Sequence, residues 1–269
     1  MNYKLAAIDI DGTLLTDDYS ITGETKKTLH LAEEQGVTVV MCSGRGPFSV
    51  IPILEELELD GYLITHNGAV VTHSKTREIL WESGFYMDDL KDVVSYCRAS
   101  GIHTDFCSPF EMYTETLDNE EVNKMYAKYL ATPKLVDDAL RVRDKIVKFT
   151  LFGSDEQLTK AFADIQAMQL PIKTIRSGPY YIDIIEKSTS KGTALRHLAD
   201  KLGISMNETI AIGNYYNDLE MIHAAGVGVA VENAPEDVKR EADLIVASNN
   251  DNGVADAIRR LILEKAKIR

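Results

Sequence analysis

The chain has 269 residues, 45% hydrophobic and 26% charged, enough to bury a substantial core and slightly long for one ordinary domain. Its formal net charge of −13, with no basic run to offset it, argues against nucleic acid or anionic membrane as partners, and no apolar stretch reaches the roughly 20 residues that span a bilayer. Cys42, Cys97 and Cys107 form no CxxC pair and no signal-peptide pattern precedes Asp9, so a soluble, cytoplasmic protein with reduced thiols is expected.

The apolar run 5–10 reads as a buried strand, yet it ends with carboxylates at Asp9 and Asp11 and a Gly12-Thr13 turn. Two carboxylates this close repel, so either a cation lies between them or the stretch is a strand followed by a solvated Asp-Gly loop. A helix from about Thr22 stops at Gly36, and a second strand over 37–41 ends in Cys42-Ser43-Gly44-Arg45. This order predicts parallel strands with Asp9, Asp11 and Ser43 on the edge where such sheets collect ligands. Pro47 suits the first turn of the next helix, so the Ser43-Gly44 backbone can face an anion. A third strand, 62–65, leads through His66-Asn67-Gly68 into a short strand at 69–71. Asn-Gly is read here as a hairpin turn, with Asn67 bordering the site as the alternative.

From about Ser83 the texture changes. Leu90, Val93, Val94 and Cys97 make a helical stripe that ends at Gly101. Strands near 102–106 and 110–114, a polar helix through Met125 and Tyr126, a strand at 146–151, a helix near 156–168 and strands at 172–176 and 180–185 follow. Together they predict an α+β domain with a largely antiparallel sheet. In its last strand Tyr181 and Asp183 share one face and Ile182 and Ile184 the other, so Asp183 is read as part of a solvated face rather than as a substrate contact.

The α/β texture returns at Ser188, with a helix carrying Leu195, Leu198 and Leu202. Lys191 sits in its first turn, where the helix dipole disfavours a cation, and its place after a hydroxyl-rich cap favours an anion-neutralising role over that of a surface lysine. The strand 209–212 ends in Gly213-Asn214-Tyr215-Tyr216-Asn217-Asp218, another polar cluster at a strand's carboxyl end. Gly226-x-Gly228 lacks the third glycine of a dinucleotide fingerprint and is assigned to packing. A strand at 244–246 and a helix with Val254, Ile258, Leu261 and Ile262 finish the core, and Lys265, Lys267 and Arg269 suit a helix C-terminus. The histidines and cysteines show neither metal-ligand spacing nor a nucleophile paired with a base.

Asp9-x-Asp11-Gly12-Thr13-Leu14, Ser43-Gly44-Arg45, Lys191-Gly192 and Gly213-Asn214-x-x-Asn217-Asp218 resemble, in order and spacing, the four motifs of the haloacid dehalogenase superfamily. The layout looks most like the Cof-type sugar-phosphatase-like branch, and the match covers nearly the whole chain. The resemblance implies an α/β fold: a doubly wound, mainly parallel Rossmann-like core over 1–82 and 188–269, with a large α+β (type IIB) cap inserted over 83–187. It implies a magnesium-dependent phosphatase acting on small phosphorylated metabolites, sugar phosphates or phosphorylated cofactor precursors, through an aspartyl phosphate. A phosphotransferase such as a phosphosugar mutase, or a catalytically weakened phosphometabolite-binding protein, stays open beside it.

The implied roles follow residue by residue. Asp9 is the nucleophile and Asp11 the general acid and base. Ser43, Gly44, Lys191 and Asn217 hold the phosphate, a hydrogen bond on the Asp9 side being the alternative for Asn217. Asp9, Asp11, Asn214 and Asp218 hold Mg2+. One departure matters: the family usually has Asp where this chain has Asn214. The amide still offers an oxygen but removes a negative charge, so a weakened metal site is expected, with Asp218 compensating directly or through water.

Overall fold

The computed structural model describes residues 2–176 and 180–264, so the basic residues Lys265, Lys267 and Arg269 lie outside the described chain. Short apolar runs alternating with capped amphipathic segments give β1 (Leu5–Asp9), α1 (Gly23–Glu34), β2 (Thr38–Cys42), α2 (Pro47–Leu57), β3 (Tyr62–Thr65), β4 (Val70–His73) and β5 (Ile79–Glu82). They continue with α3 (Lys91–Ser100), β6 (His103–Cys107), β7 (Met112–Thr114), α4 (Glu120–Lys128), β8 (Lys134–Leu135), β9 (Lys148–Phe152), α5 (Asp155–Ala167), β10 (Ile172–Arg176) and β11 (Tyr181–Glu186). The chain closes with α6 (Lys191–Leu202), β12 (Thr209–Gly213), α7 (Leu219–Ala224), β13 (Val227–Val231), α8 (Glu236–Arg240), β14 (Leu244–Val246) and α9 (Gly253–Ile258). The helix ends follow side-chain chemistry. Thr22 caps α1 by accepting from the Thr25 amide, Ser190 caps α6 by accepting from the Thr193 amide, and α6 stops at Gly203 with φ +67°.

Two units partition the chain. One comprises Met1–Gly44, Val50–Trp81 and Ser190–Arg269; the other comprises Arg45–Ser49 and Glu82–Thr189. In the first, eight strands lie in the order β14-β13-β12-β1-β2-β3-β4-β5. Every pair from β14 to β3 is parallel, and β4 returns antiparallel to β3. Alternation along β1 sends Ala6 and Ile8 to a cluster with Leu29 of α1 and Ile258 of α9, and Leu5 and Ala7 to a second cluster with Leu195 and Leu198 of α6. Both faces are thus covered by helices, which bears out the doubly wound α/β expectation. Each fully buried leucine or isoleucine on these faces contributes about 1.5–3 kcal/mol. From β1 the chain runs outward through β2 and β3 on one side and returns through β12, β13 and β14 on the other. The strand order therefore switches between β1 and β12, and a crevice opens at their carboxyl ends.

The second unit holds six strands in the order β10-β11-β9-β6-β7-β8, antiparallel except for the β7–β8 pair. One face, with Phe106, Phe149, Leu151, Ile182 and Ile184, packs on Val93, Val94 and Cys97 of α3 and Leu158, Ala161 and Ile165 of α5. The opposite face is closed too. Thr114, Asp105, Thr150 and Asp183 stand in register across four strands and all are buried. Asp183 is only 4% exposed, takes a hydrogen bond from Thr150 Oγ1 at 3.2 Å and pairs with Lys148 Nζ at 3.5 Å. This corrects the solvated-face reading of Asp183. Period-two alternation separates two faces but does not say that either is wet. The three cysteines are unbridged and buried. Among the described residues no helix is long and apolar enough to cross a membrane.

Candidate active site

Asp9 ends β1 at the crevice and is 5% exposed. The chain then folds back on itself: the Leu14 amide donates to the Asp9 carbonyl at 3.2 Å, and the Leu15 amide to the Ile10 carbonyl at 3.0 Å. This tight turn brings out Asp11, which is exposed. Gly12 makes it possible with φ +77°, and a methyl group there would stand 2.4 Å from Asn214 Nδ2. Asn214 therefore lies directly against the Asp11-Gly12 turn.

Lys191, the first residue of α6, reaches back to this place with no exposed side-chain surface. Its Nζ donates at 2.7 Å to Asp9 Oδ1 and at 2.7 Å to Asp218 Oδ1. The second oxygen of Asp218 accepts from the amides of Asn214 at 2.9 Å and Tyr215 at 3.0 Å, so the loop after β12 is wrapped around its own carboxylate. Burial alone lowers the affinity of Lys191 for its proton, but Asp218 and then Asp9 outweigh it and hold the ammonium well above its ordinary range. Asp9 feels the reverse balance: burial first, and Asp218 second, push it up to about 7 against the pull of Lys191. The Cys42 thiol, level with Asp9 on the neighbouring strand, is pushed up by its own burial and stays a neutral packing group.

Ser43 follows β2, is 1% exposed, and its amide donates to the Ile64 carbonyl at 2.8 Å. Beside it Gly44 abuts Asn67, for a methyl group on Gly44 would stand 3.0 Å from Asn67 Oδ1. Asn217 Nδ2 donates to that same Asn67 oxygen at 3.0 Å. The structure thus gathers Asp9, Lys191 and Asp218 into one hydrogen-bonded centre, sets Asn214 on the Asp11-Gly12 turn, and joins Ser43, Gly44 and Asn217 through Asn67.

Three further amides adjoin these groups, and of them the sequence marks Asn67 alone, as the alternative to a hairpin turn. Asn67 carries an ambiguous signal, since Asn-Gly between two strands already has a hairpin to explain it. Asn233 and Asn249 lie in aperiodic segments and carry none. Asn233 Nδ2 donates to the Gly12 carbonyl at 2.7 Å and its Oδ1 takes the Asn249 amide at 3.0 Å, while Asn249 Nδ2 donates to the Leu15 carbonyl at 3.0 Å. Together they brace the Asp9–Leu15 turn from behind.

The donor set suits a hard cation. Asp9 Oδ2 is buried and meets no hydrogen-bond partner among the described residues, and two carboxylates, Asp9 and Asp218, share the single Lys191 ammonium. Among the described residues no group of three or more His, Cys, Asp or Glu side chains is arranged to hold a metal. A cation here would therefore draw on backbone and amide oxygens as well as carboxylate, as magnesium does.

The sequence model of a family described as haloacid dehalogenase-like hydrolase matches residues 6–258. The chain is 35% identical to YxeH of Bacillus subtilis (strain 168), with 98% of this chain and all of that protein covered. It is 30% identical to 5-amino-6-(5-phospho-D-ribitylamino)uracil phosphatase YcsE of the same organism, over 98% of this chain and 97% of that one. Among solved structures it is similar to BT4131, described as a subclass IIB sugar phosphatase, with a TM-score of 0.82, 26% identity, and 96% and 98% of the two chains covered.

Proposed function

Because the chain belongs to the haloacid dehalogenase-like hydrolases, we propose that its Asp9-Lys191-Asp218 centre hydrolyses small phosphorylated metabolites, with magnesium, through an aspartyl phosphate on Asp9. The chain is a phosphoric monoester hydrolase. The observation that carries the finer reading is the buried Lys191 ammonium between Asp9 and Asp218, at the strand-order switch, with the other Asp9 oxygen lacking a partner among the described residues. A lysine so placed fixes the orientation of one carboxylate and leaves that carboxylate a second oxygen for chemistry.

In this mechanism Asp9 attacks phosphorus and the bond from phosphorus to the leaving oxygen breaks. Asp11 delivers a proton to that oxygen, releasing the alcohol. It then takes a proton from water as the water attacks phosphorus, and Asp9 is regenerated as phosphate departs. Ser43 Oγ, the Gly44 amide, Lys191 and Asn217 hold the oxygens that do not react and offset charge that grows on them. Magnesium, when bound, neutralises phosphoryl charge. The Asp9 carboxylate, the Asp11 carbonyl and the Asn214 amide oxygen would hold it. Asp218, whose oxygens already serve Lys191 and two amides, would add charge or a water-mediated contact.

The inserted α+β unit is assigned the cap's role of choosing the leaving group. Relatives that act on a phosphorylated ribitylamino uracil and on sugar phosphates support a polyhydroxylated leaving group, either a sugar or a cofactor precursor. A panel of such monoesters, with p-nitrophenyl phosphate as a generic member, tests the proposal in the presence of magnesium. Release of free phosphate from at least one sugar or cofactor-precursor ester is expected. Label passing to a second metabolite would replace hydrolysis with transfer, and no release from any compound would contradict the proposal.

A further inference from the structure

The turn between β3 and β4 carries more left-handed backbone than the two positive-φ residues a tight hairpin uses. Pairing of Thr65 with Val70 leaves residues 66–69 as the loop, and three of them in succession take positive φ: His66 at +51°, Asn67 at +57° and Gly68 at +100°. Two consecutive non-glycine residues in the left-handed region persist only where the surroundings hold them, and such strain gathers at functional sites. The surroundings here are the phosphate-site segments themselves. A methyl group on Gly68 would stand 2.1 Å from the Ser190 carbonyl and 2.7 Å from the Lys191 amide, so the turn is pressed against the start of α6. The Asn67 amide donates to the Ser43 carbonyl at 3.0 Å, its side chain fills the space beside Gly44, and its Oδ1 takes one hydrogen of Asn217 Nδ2 at 3.0 Å. At 2% exposure it does none of the solvent-facing work of an ordinary turn asparagine.

Resting on the reading of Ser43, Gly44 and Asn217 as phosphate holders, we propose that Asn67 is a positioning residue for the phosphate site, acting through Asn217. An amide group has two nearly isosteric orientations that present opposite hydrogen-bonding character. By accepting one hydrogen from Asn217 Nδ2, Asn67 Oδ1 fixes which way the Asn217 amide faces and so directs its second N–H. The left-handed backbone is what carries the Asn67 oxygen to that position, and Gly44 is small because the same side chain occupies the space beside it. An anion is held by donors already aimed at it, so loss of this orientation weakens phosphate binding in the ground state and the transition state alike.

The test is equilibrium binding of inorganic phosphate, with magnesium present, to wild type, Asn67→Gly, Asn217→Ala and the double variant, beside kcat and KM on the best substrate. Glycine keeps the left-handed backbone and deletes only the side chain. Asn67→Gly is expected to weaken phosphate and raise KM about tenfold with kcat within about threefold, the pattern of lost uniform binding. The double variant is expected to bind phosphate no more than about threefold worse than Asn217→Ala alone. Asn67→Asp retains the acceptor and the left-handed tendency but adds a negative charge, and it is expected to bind phosphate more weakly than Asn67→Gly. Unchanged phosphate affinity in Asn67→Gly and Asn67→Asp, or effects of Asn67→Gly and Asn217→Ala that multiply, would overturn the proposal. Because binding is read apart from turnover, an inactive wild type would count against the phosphatase mechanism without deciding the role of Asn67.

Discussion

Lys191 Nζ stands 2.7 Å from Asp9 Oδ1, and none of the lysine side chain is exposed. The contact matters because a second carboxylate, Asp218, shares the same ammonium at 2.7 Å. Removing the cation would leave two buried carboxylates facing each other, and breaking a buried pair in this way costs about 3–5 kcal/mol. Lys191→Met is therefore expected to lower stability by that order in urea unfolding and to reduce phosphate release by about 10²–10³-fold or more. Adding Asp218→Asn to Lys191→Met should recover part of the stability and none of the activity. Equal stabilities of wild type and Lys191→Met would contradict the assigned charge balance.

Asn214 lies against the Asp11-Gly12 turn, where the motif it resembles implies a carboxylate. Restoring the charge with Asn214→Asp is expected to tighten magnesium by about tenfold, since affinity for hard cations follows the charge of the oxygen ligands. Direct titration of magnesium against the two proteins checks this without turnover. Equal affinities would reject the account of Asn214 as the weak ligand.

Asp105 gives the stability of the second unit a pH dependence of definite sign. Burial, more than the opposing attraction of Lys148, pushes its carboxyl up to about 7. The folded state therefore holds a proton that the unfolded chain releases at a lower pH. The stability linked to that proton is complete below the ordinary carboxylate range and is lost as pH rises to about 7. An amide in place of this carboxyl cannot ionise, so the Tm of Asp105→Asn relative to wild type should rise by a few degrees between pH 5 and pH 8, at about 2–4 °C per kcal/mol. A Tm difference that stays constant across that range would show that Asp105 does not titrate as described.

Much of the architecture is legible in the sequence because the decisive residues stand where secondary structure changes. Asp9 ends β1, Ser43 follows β2 and Lys191 begins α6, so hydrophobic runs and capping residues locate them without any knowledge of their contacts. The strands 62–65, 172–176 and 244–246 coincide with β3, β10 and β14. Short elements escape: β5, β8, α7 and α8 are too brief for a period to develop. The burial of Asp183 cannot be read from its own strand, because its partner, Lys148, lies on another. A local turn accounts for Asn67 in the sequence, whereas its role depends on Asn217, 150 residues away.

Phosphate release from Asp9→Asn reads out whether Asp9 receives the phosphoryl group. The amide nearly matches the carboxylate in size but is a poor nucleophile, and Lys191 retains Asp218 as its counter-charge. With folding verified by thermal unfolding and saturating magnesium present, turnover is expected to fall by about three orders of magnitude or more. Phosphate release undiminished from wild type would contradict phosphoryl transfer to Asp9.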